Sequence, residues 1–247
     1  MDINKIKSIV QDVVFIDLET SGLNPHNSEI LEIGAIKSEN NKLTSFHTFV
    51  KNKREIPLEI FSLCTDLKQS DLDNAPTLCE IKKKLIEFLG DKKIICHNGE
   101  FERAFLNHYI PEIKNEILDS MELMVILEPY HKEYNLEYLK NTLTKDKSIE
   151  KHRAIDDVVD TINIINAVLM RLKDKESKAM TLENLTFKIN STLNRFGLNK
   201  WIWSELIDNG NYNIDNIDVI YEDEKYKNEN KRDLKNTLID HRFSYEN

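Results

Sequence analysis

At 247 residues and 29.0 kDa the chain is long enough for one substantial domain with a smaller appendage. A 40% hydrophobic share beside 31% charged residues fits a folded globular chain and excludes wholesale disorder. The net charge of −9 excludes a polybasic nucleic-acid coat or a membrane-surface binder held by positive charge; an enzyme that meets nucleic acid through metal ions and a few local contacts stays open.

The first strand signal is Val13-Val14-Phe15-Ile16, a short β-branched run of the buried kind. It leads into Asp17-Leu18-Glu19-Thr20-Ser21-Gly22, and the chain breaks at Gly22 and Pro25. Ile30–Lys37 and Leu43–Lys51 read as two further strands with Asn40-Asn41 as a hairpin turn between them. Pro76 opens a helical stretch in which Leu78, Ile81, Leu85, Phe88 and Leu89 share a face. Ile94-Ile95-Cys96 is a fourth buried strand running into His97-Asn98-Gly99, and a helix carrying Phe101, Phe105 and Leu106 follows. Leu118–Leu127 and Asn135–Leu143 are expected to be helices, the second capped by Asn135. A last helix starts near Arg153 and runs to Leu172.

Strands first and helices interleaved afterwards predict an α/β domain over residues 1–175. Residues 176–247 are expected to be a helical and charged extension, with an apolar stripe from Leu182 to Phe196 and an anchoring pair, Trp201 and Trp203. Cys64, Cys79 and Cys96 form an odd set without metal-site spacing, which argues for a reducing compartment. No signal peptide is visible, and no window approaches the ~18 apolar residues of a membrane span. The expected location is cytoplasmic, without a membrane partner.

Three clusters place carboxylates at the end of a structural element. Asp17 and Glu19 are two residues apart on a strand, so both face the same side. Neighbouring carboxylates repel, which raises a pKa or recruits a hard, oxygen-seeking cation such as Mg²⁺ or Mn²⁺. The second cluster is His97-Asn98-Gly99-Glu100-Phe101-Glu102 and the third His152-Arg153-Ala154-Ile155-Asp156-Asp157. Each alone is explained by a helix start whose acids suit the dipole.

Together, in this order and spacing, they resemble the three motifs of the DEDDh branch of the 3′–5′ exonuclease superfamily, the group of the DNA polymerase III epsilon subunit. The resemblance covers residues 10–172 and implies an RNase H-like fold, a mixed five-stranded sheet flanked by helices. It implies catalytic Asp17, Glu19, Glu102, His152 and Asp157, the four acids holding two divalent ions (Mg²⁺ or Mn²⁺) and His152 taking a proton from the attacking water. Thr20, His97, Asn98 and Phe101 are the implied substrate-binding residues, and no organic cofactor is called for. The implied substrate is a single-stranded 3′ end, DNA before RNA. The alternatives are RNA trimming by the same fold and a degenerate nuclease fold acting as a binding or assembly module. The domain and its extension also resemble the N-terminal part of DinG-type exonuclease–helicase fusions, so an attached helicase region or a polymerase is the implied partner.

Two positions depart from the family. The second-motif acid, usually Asp, is Glu102, whose extra methylene moves the carboxylate by roughly 1.5 Å. Mg²⁺ tolerates poor octahedral geometry badly, so a Mn²⁺ preference or reduced turnover is expected. Cys64-Thr65-Asp66-Leu67 stands where relatives often carry Leu-Thr-Gly-Ile, and Asp66 brings negative charge toward a phosphate backbone. His26, His47, His108, His131 and His241 lack ligand spacing and read as ordinary surface or partly buried histidines.

Overall fold

The strand expected at Val13–Ile16 runs on through both acids, as β1 (Val13–Thr20). The computed structural model describes residues 10–54, 56, 60, 67–144, 153–174 and 203, with backbone alone at 170–174. β2 (Ile30–Glu39) pairs antiparallel with β1, and β3 (Lys42–Phe49) pairs antiparallel with β2. Asn40 and Asn41 join them at φ 52° and 59°, the left-handed pair that a two-residue hairpin turn requires. Helix α1 (Gln69–Asp73) was not foreseen; five residues are too few for helical periodicity to register. Helix α2 (Leu78–Leu89) follows, opened by a capping box between Thr77 and Glu80 and burying Ile81, Leu85 and Leu89 at a spacing of four.

β4 (Lys93–Cys96) returns parallel to β1 and leads into α3 (Gly99–Tyr109). β5 (Ile117–Asp119) lies parallel to β4 and passes directly into α4 (Ser120–Leu127). Here the expected helix from Leu118 is corrected. The first residues of that run complete the sheet, because pairing with β4 satisfies their backbone at once and three residues carry no readable period. Helix α5 (Leu136–Leu143) is capped as expected, the Asn135 side chain accepting from the Tyr138 amide at 2.8 Å. Helix α6 (Ala154–Asp174) ends the described run. The sheet order β3-β2-β1-β4-β5 is the mixed five-stranded α/β arrangement that the motifs implied.

Alternation along the strands sorts the two faces of the sheet. Val14, Ile16 and Leu18 of β1, Ile33 and Ala35 of β2, and Ile94 and Cys96 of β4 form one buried cluster with Ile81, Leu85 and Leu89 of α2 and Phe105 and Leu106 of α3. The other face of β1 and β2 carries Asp17 opposite Gly34 and Glu19 opposite Glu32. Gly34 is what lets a helix approach that face. A Cβ there would sit 2.5 Å from the Ala154 carbonyl carbon and 2.5 Å from the Ile155 nitrogen, both backbone atoms of the first turn of α6. Gly34→Ala is therefore expected to cost about 1–3 kcal/mol, because backbone rather than a pliable side chain must shift. Thermal melting would show it, at roughly 2–4 °C per kcal/mol for a chain of this size; an unchanged midpoint would mean that the contact yields freely.

The chain divides into two compact units, residues 1–121 with 133–165, and residues 122–132 with those from 166 on. All described candidate site residues fall in the first. Trp203 is buried; the rest of the expected extension, including Trp201 and the stripe from Leu182 to Phe196, lies outside the described residues. No described helix is long and apolar enough to cross a membrane.

Candidate active site

Strand β1 sets the floor of the site. Asp17 and Glu19 project from one side of it, and a bulge between Glu19 and Thr20 ends the regular ladder just beyond them. The Thr20 hydroxyl donates to the Gly22 carbonyl at 2.7 Å and holds the turn that follows. From the start of α6, Asp157 completes the group: one carboxylate oxygen from each of Asp17, Glu19 and Asp157 lies within 4.8 Å of the others. Among the described residues this is the cluster with metal-ligand spacing, and its donors are all oxygen, a set that suits a hard divalent cation.

The fourth acid comes from the parallel side of the sheet. β4 ends at Cys96, and the chain turns into α3 through Asn98, at φ 68° and ψ 52°, a left-handed conformation that Asn tolerates better than most residues. One turn on, Glu102 lies buried at 2% exposure, and its Oε2 has no hydrogen-bond partner among the described residues. Burial, and next the negative charge of Asp17, push its carboxyl well above the usual carboxylate range, with Asp119 and Glu19 adding to the effect. A buried carboxylate oxygen with no donor, next to other acids, is the chemistry a bound cation would satisfy.

The remaining second-motif residues build the scaffold of this corner. His97 receives the Ser120 hydroxyl at Nδ1, 2.8 Å away, and Nε2 donates to the Tyr134 carbonyl at 2.7 Å, which fixes the neutral tautomer. Burial lowers its pKa, in keeping with that form. Both ring nitrogens are thus engaged inside the fold, whereas the sequence pattern had implied substrate contact. Asn98 is exposed. Its amide donates to Asp119 Oδ1 at 3.0 Å, and the Met121 amide donates to the same oxygen at 2.8 Å. Phe101 packs against the main core, its ring centroid 4.9 Å from that of Phe105. Cys96 is buried as expected, and burial pushes its thiol pKa up. His152 and Cys64-Thr65-Asp66 lie outside the described residues.

Four residues of this region were not singled out from the sequence. Asp119 adds charge beside Glu102. Glu32, fully buried on β2, binds Arg153 and His47, the histidine lying at the surface as expected. Lys140 of α5 and Asp160 of α6 form a buried ion pair at 2.9 Å. Glu32 did leave a signal: it is the lone charge in Ile30-Leu31-Glu32-Ile33-Gly34-Ala35-Ile36, and a strand that apolar demands a partner for its acid.

A family model described as exonuclease, of the RNase T type, matches residues 14–165. The chain belongs to the RNase T exonuclease family. The resemblance carried by the three motifs is borne out, and with it the expectation of an exonuclease, a hydrolase of phosphodiester bonds. The chain is 31% identical over 175 residues to the PolC-type DNA polymerase III of Clostridium perfringens, over 68% of this chain and 12% of that one. It is 34% identical over 113 residues to the DNA polymerase III epsilon subunit of Rickettsia conorii, over 44% of this chain and 49% of that one. Among solved structures, exonuclease X in complex with 5′-overhanging duplex DNA shares the fold, with a TM-score of 0.50 at 21% identity over 64% of this chain and 92% of its own. The chain spans about an eighth of the length of the PolC-type relatives.

Proposed function

We propose that this exonuclease-family chain shortens single-stranded DNA from its 3′ end by a metal-dependent hydrolysis. The observation that carries the reading is the convergence of Asp17, Glu19 and Asp157 within 4.8 Å, from a strand and a helix 140 positions apart in sequence. Asp17, Glu19, Glu102 and Asp157 would hold two divalent ions. When bound, such ions stabilise the attacking and leaving oxygens of an in-line displacement at phosphorus. The chain's own part is to keep the four carboxylates converged against their repulsion and to accept the proton of the attacking water. His152 is proposed for that second role, since imidazole is the side chain whose unperturbed protonation equilibrium lies nearest neutral pH. Thr20, Asn98 and Phe101 are the proposed neighbours of the terminal nucleotide.

In this reading residues 1–175 are the catalytic domain and 176–247 its extension. The polymerase III relatives favour DNA as substrate, a polymerase as partner and the cytoplasm as location; an attached helicase region as partner rests on the sequence resemblance alone.

The test is a digest of 5′-labelled single-stranded DNA and of a matching RNA, in Mg²⁺ and then in Mn²⁺. The expected result is a ladder shortening from the 3′ end, stronger on DNA and absent for Asp17→Ala. Intact substrates with both metals would defeat the proposal, and a stronger RNA ladder would reassign the substrate. Glu102→Asp belongs in the same gel. Shortening the side chain by roughly 1.5 Å is expected to raise the Mg²⁺-supported rate relative to the Mn²⁺ rate. A ratio that does not move would remove Glu102 as the source of any metal preference.

A further inference from the structure

Glu32 sits at 0% exposure, directly across the ladder from Glu19, where a bare carboxylate would add to the repulsion of the acid cluster. It is instead gripped from two sides. Arg153 Nε lies 3.0 Å from Oε2 and 3.3 Å from Oε1, and a terminal guanidinium nitrogen lies 3.2 Å from Oε1. His47 Nε2 approaches Oε1 at 2.6 Å. Burial alone would raise the Glu32 carboxyl, but the hydrogen bonds and charges of His47 and Arg153 outweigh it and hold its pKa below the usual range. The guanidinium is also stacked over the Phe49 ring, 5.0 Å from its centroid.

The main chain of Arg153 has a second task. Its carbonyl accepts the amides of Asp156 at 2.8 Å and Asp157 at 3.0 Å, closing the first turn of α6. Its neighbour Ala154 lies against Gly34. One residue thus ties strand β2, through its side chain, to the helix turn that carries Asp157, through its backbone.

We infer that the Glu32–Arg153 clamp is a positioning device for Asp157, fixing the height and rotation at which α6 presents that carboxylate to Asp17 and Glu19. The inference rests on the acid cluster being the metal site of the proposed function. Arginine suits the task because its planar fork grips both carboxylate oxygens and so resists rotation, which a lysine ammonium does not. A buried ion pair serving stability alone would also hold the helix on, so the test must separate position from stability.

The experiment compares the full chain with Glu32→Gln, Arg153→Lys, Arg153→Gln and the double variant Glu32→Gln/Arg153→Gln. Mn²⁺ affinity is measured by calorimetry without nucleic acid, and kcat and KM are measured on single-stranded DNA. Weakening a group that orients a metal ligand is expected to lower Mn²⁺ affinity by about 10- to 100-fold, with kcat falling on the same scale. KM for the oligonucleotide should hold within a factor of about two, because the clamp does not touch substrate. Arg153→Lys should fall between wild type and Arg153→Gln. The double variant should be no worse than the poorer single one, since the two residues act as a unit.

If folded variants bind Mn²⁺ and turn over like wild type, or melt earlier while both values stay unchanged, the inference is overturned. Should Glu32→Gln fail to fold, Arg153→Lys keeps the charge and decides the question by the same readouts. A wild type that itself neither binds Mn²⁺ nor cleaves would refute the proposed function and take this inference down with it.

Discussion

Asp17→Asn is expected to slow 3′-end shortening by about 10³-fold or more, on the scale of the several kcal/mol that metal-ion stabilisation supplies to a displacement at phosphorus. The same change is expected to raise the melting temperature in EDTA at pH 8. The two effects share a cause. Burial and then the charge of Asp17 hold the Glu102 carboxyl well above its ordinary range. A carboxyl whose pKa is raised in the folded state contributes stability below its unfolded pKa and loses that contribution as pH rises through the folded value. In the metal-free wild type, the Glu102 contribution should therefore fall between pH 5 and pH 8, against the opposite one from His97, and fall more steeply than in Asp17→Asn, where one source of the shift is gone. Melting curves in EDTA at the two pH values, beside a time course of cleavage, measure both sides. Retained activity would remove Asp17 from the chemistry; parallel melting curves would mean that its repulsion with Glu102 is relieved some other way.

The second large effect concerns stability alone. Lys140 and Asp160 meet at 2.9 Å with side-chain exposures of 3% and 7%. Neither charge has much water to fall back on, so removing one partner leaves the other buried without this counter-charge. Lys140→Met is expected to destabilise by about 3–5 kcal/mol. For a chain of this length that is a drop in Tm of roughly 10 °C. The double replacement Lys140→Met/Asp160→Leu should recover most of the loss, because apolar side chains of similar volume fill the site without a desolvation penalty. Thermal unfolding of the three proteins checks this. If Lys140→Met alone melts like wild type, solvent reaches Asp160 more easily than its burial implies.

Lys140 also shows where sequence reading stops. In Leu136-Glu137-Tyr138-Leu139-Lys140 a lysine looks like part of a solvated helix face, and nothing in that pattern says that Asp160 packs beside it. Pairs made by tertiary contact leave no local periodicity. Asp17, Glu19, Glu102 and Asp157 were legible for the opposite reason: the proposed chemistry needs fixed residue types at fixed places on recurring elements, and that constraint survives in the string. The strands were legible where they are long and apolar, as in β1 and β2. They were not where pairing alone defines them, as in the three residues of β5. His97 lies between these cases, since its motif marks it while the bonds to Ser120 and Tyr134 lie in the fold.

The direction of the strands has a practical consequence. β1, β4 and β5 run parallel, so Thr20, Cys96 and Asp119 all end at one rim of the sheet, with the acids below them. β4 and β5 pass almost at once into α3 and α4, whereas β1 leaves that rim through the longer turn between Thr20 and Ile30, which makes this turn the place to graft a different nucleotide preference. The Asn40-Asn41 turn lies at the opposite rim, where β2 hands over to β3. A fluorophore, an affinity tag or a whole inserted domain placed there would sit a full strand length away from the acid cluster, leaving the opposite rim open.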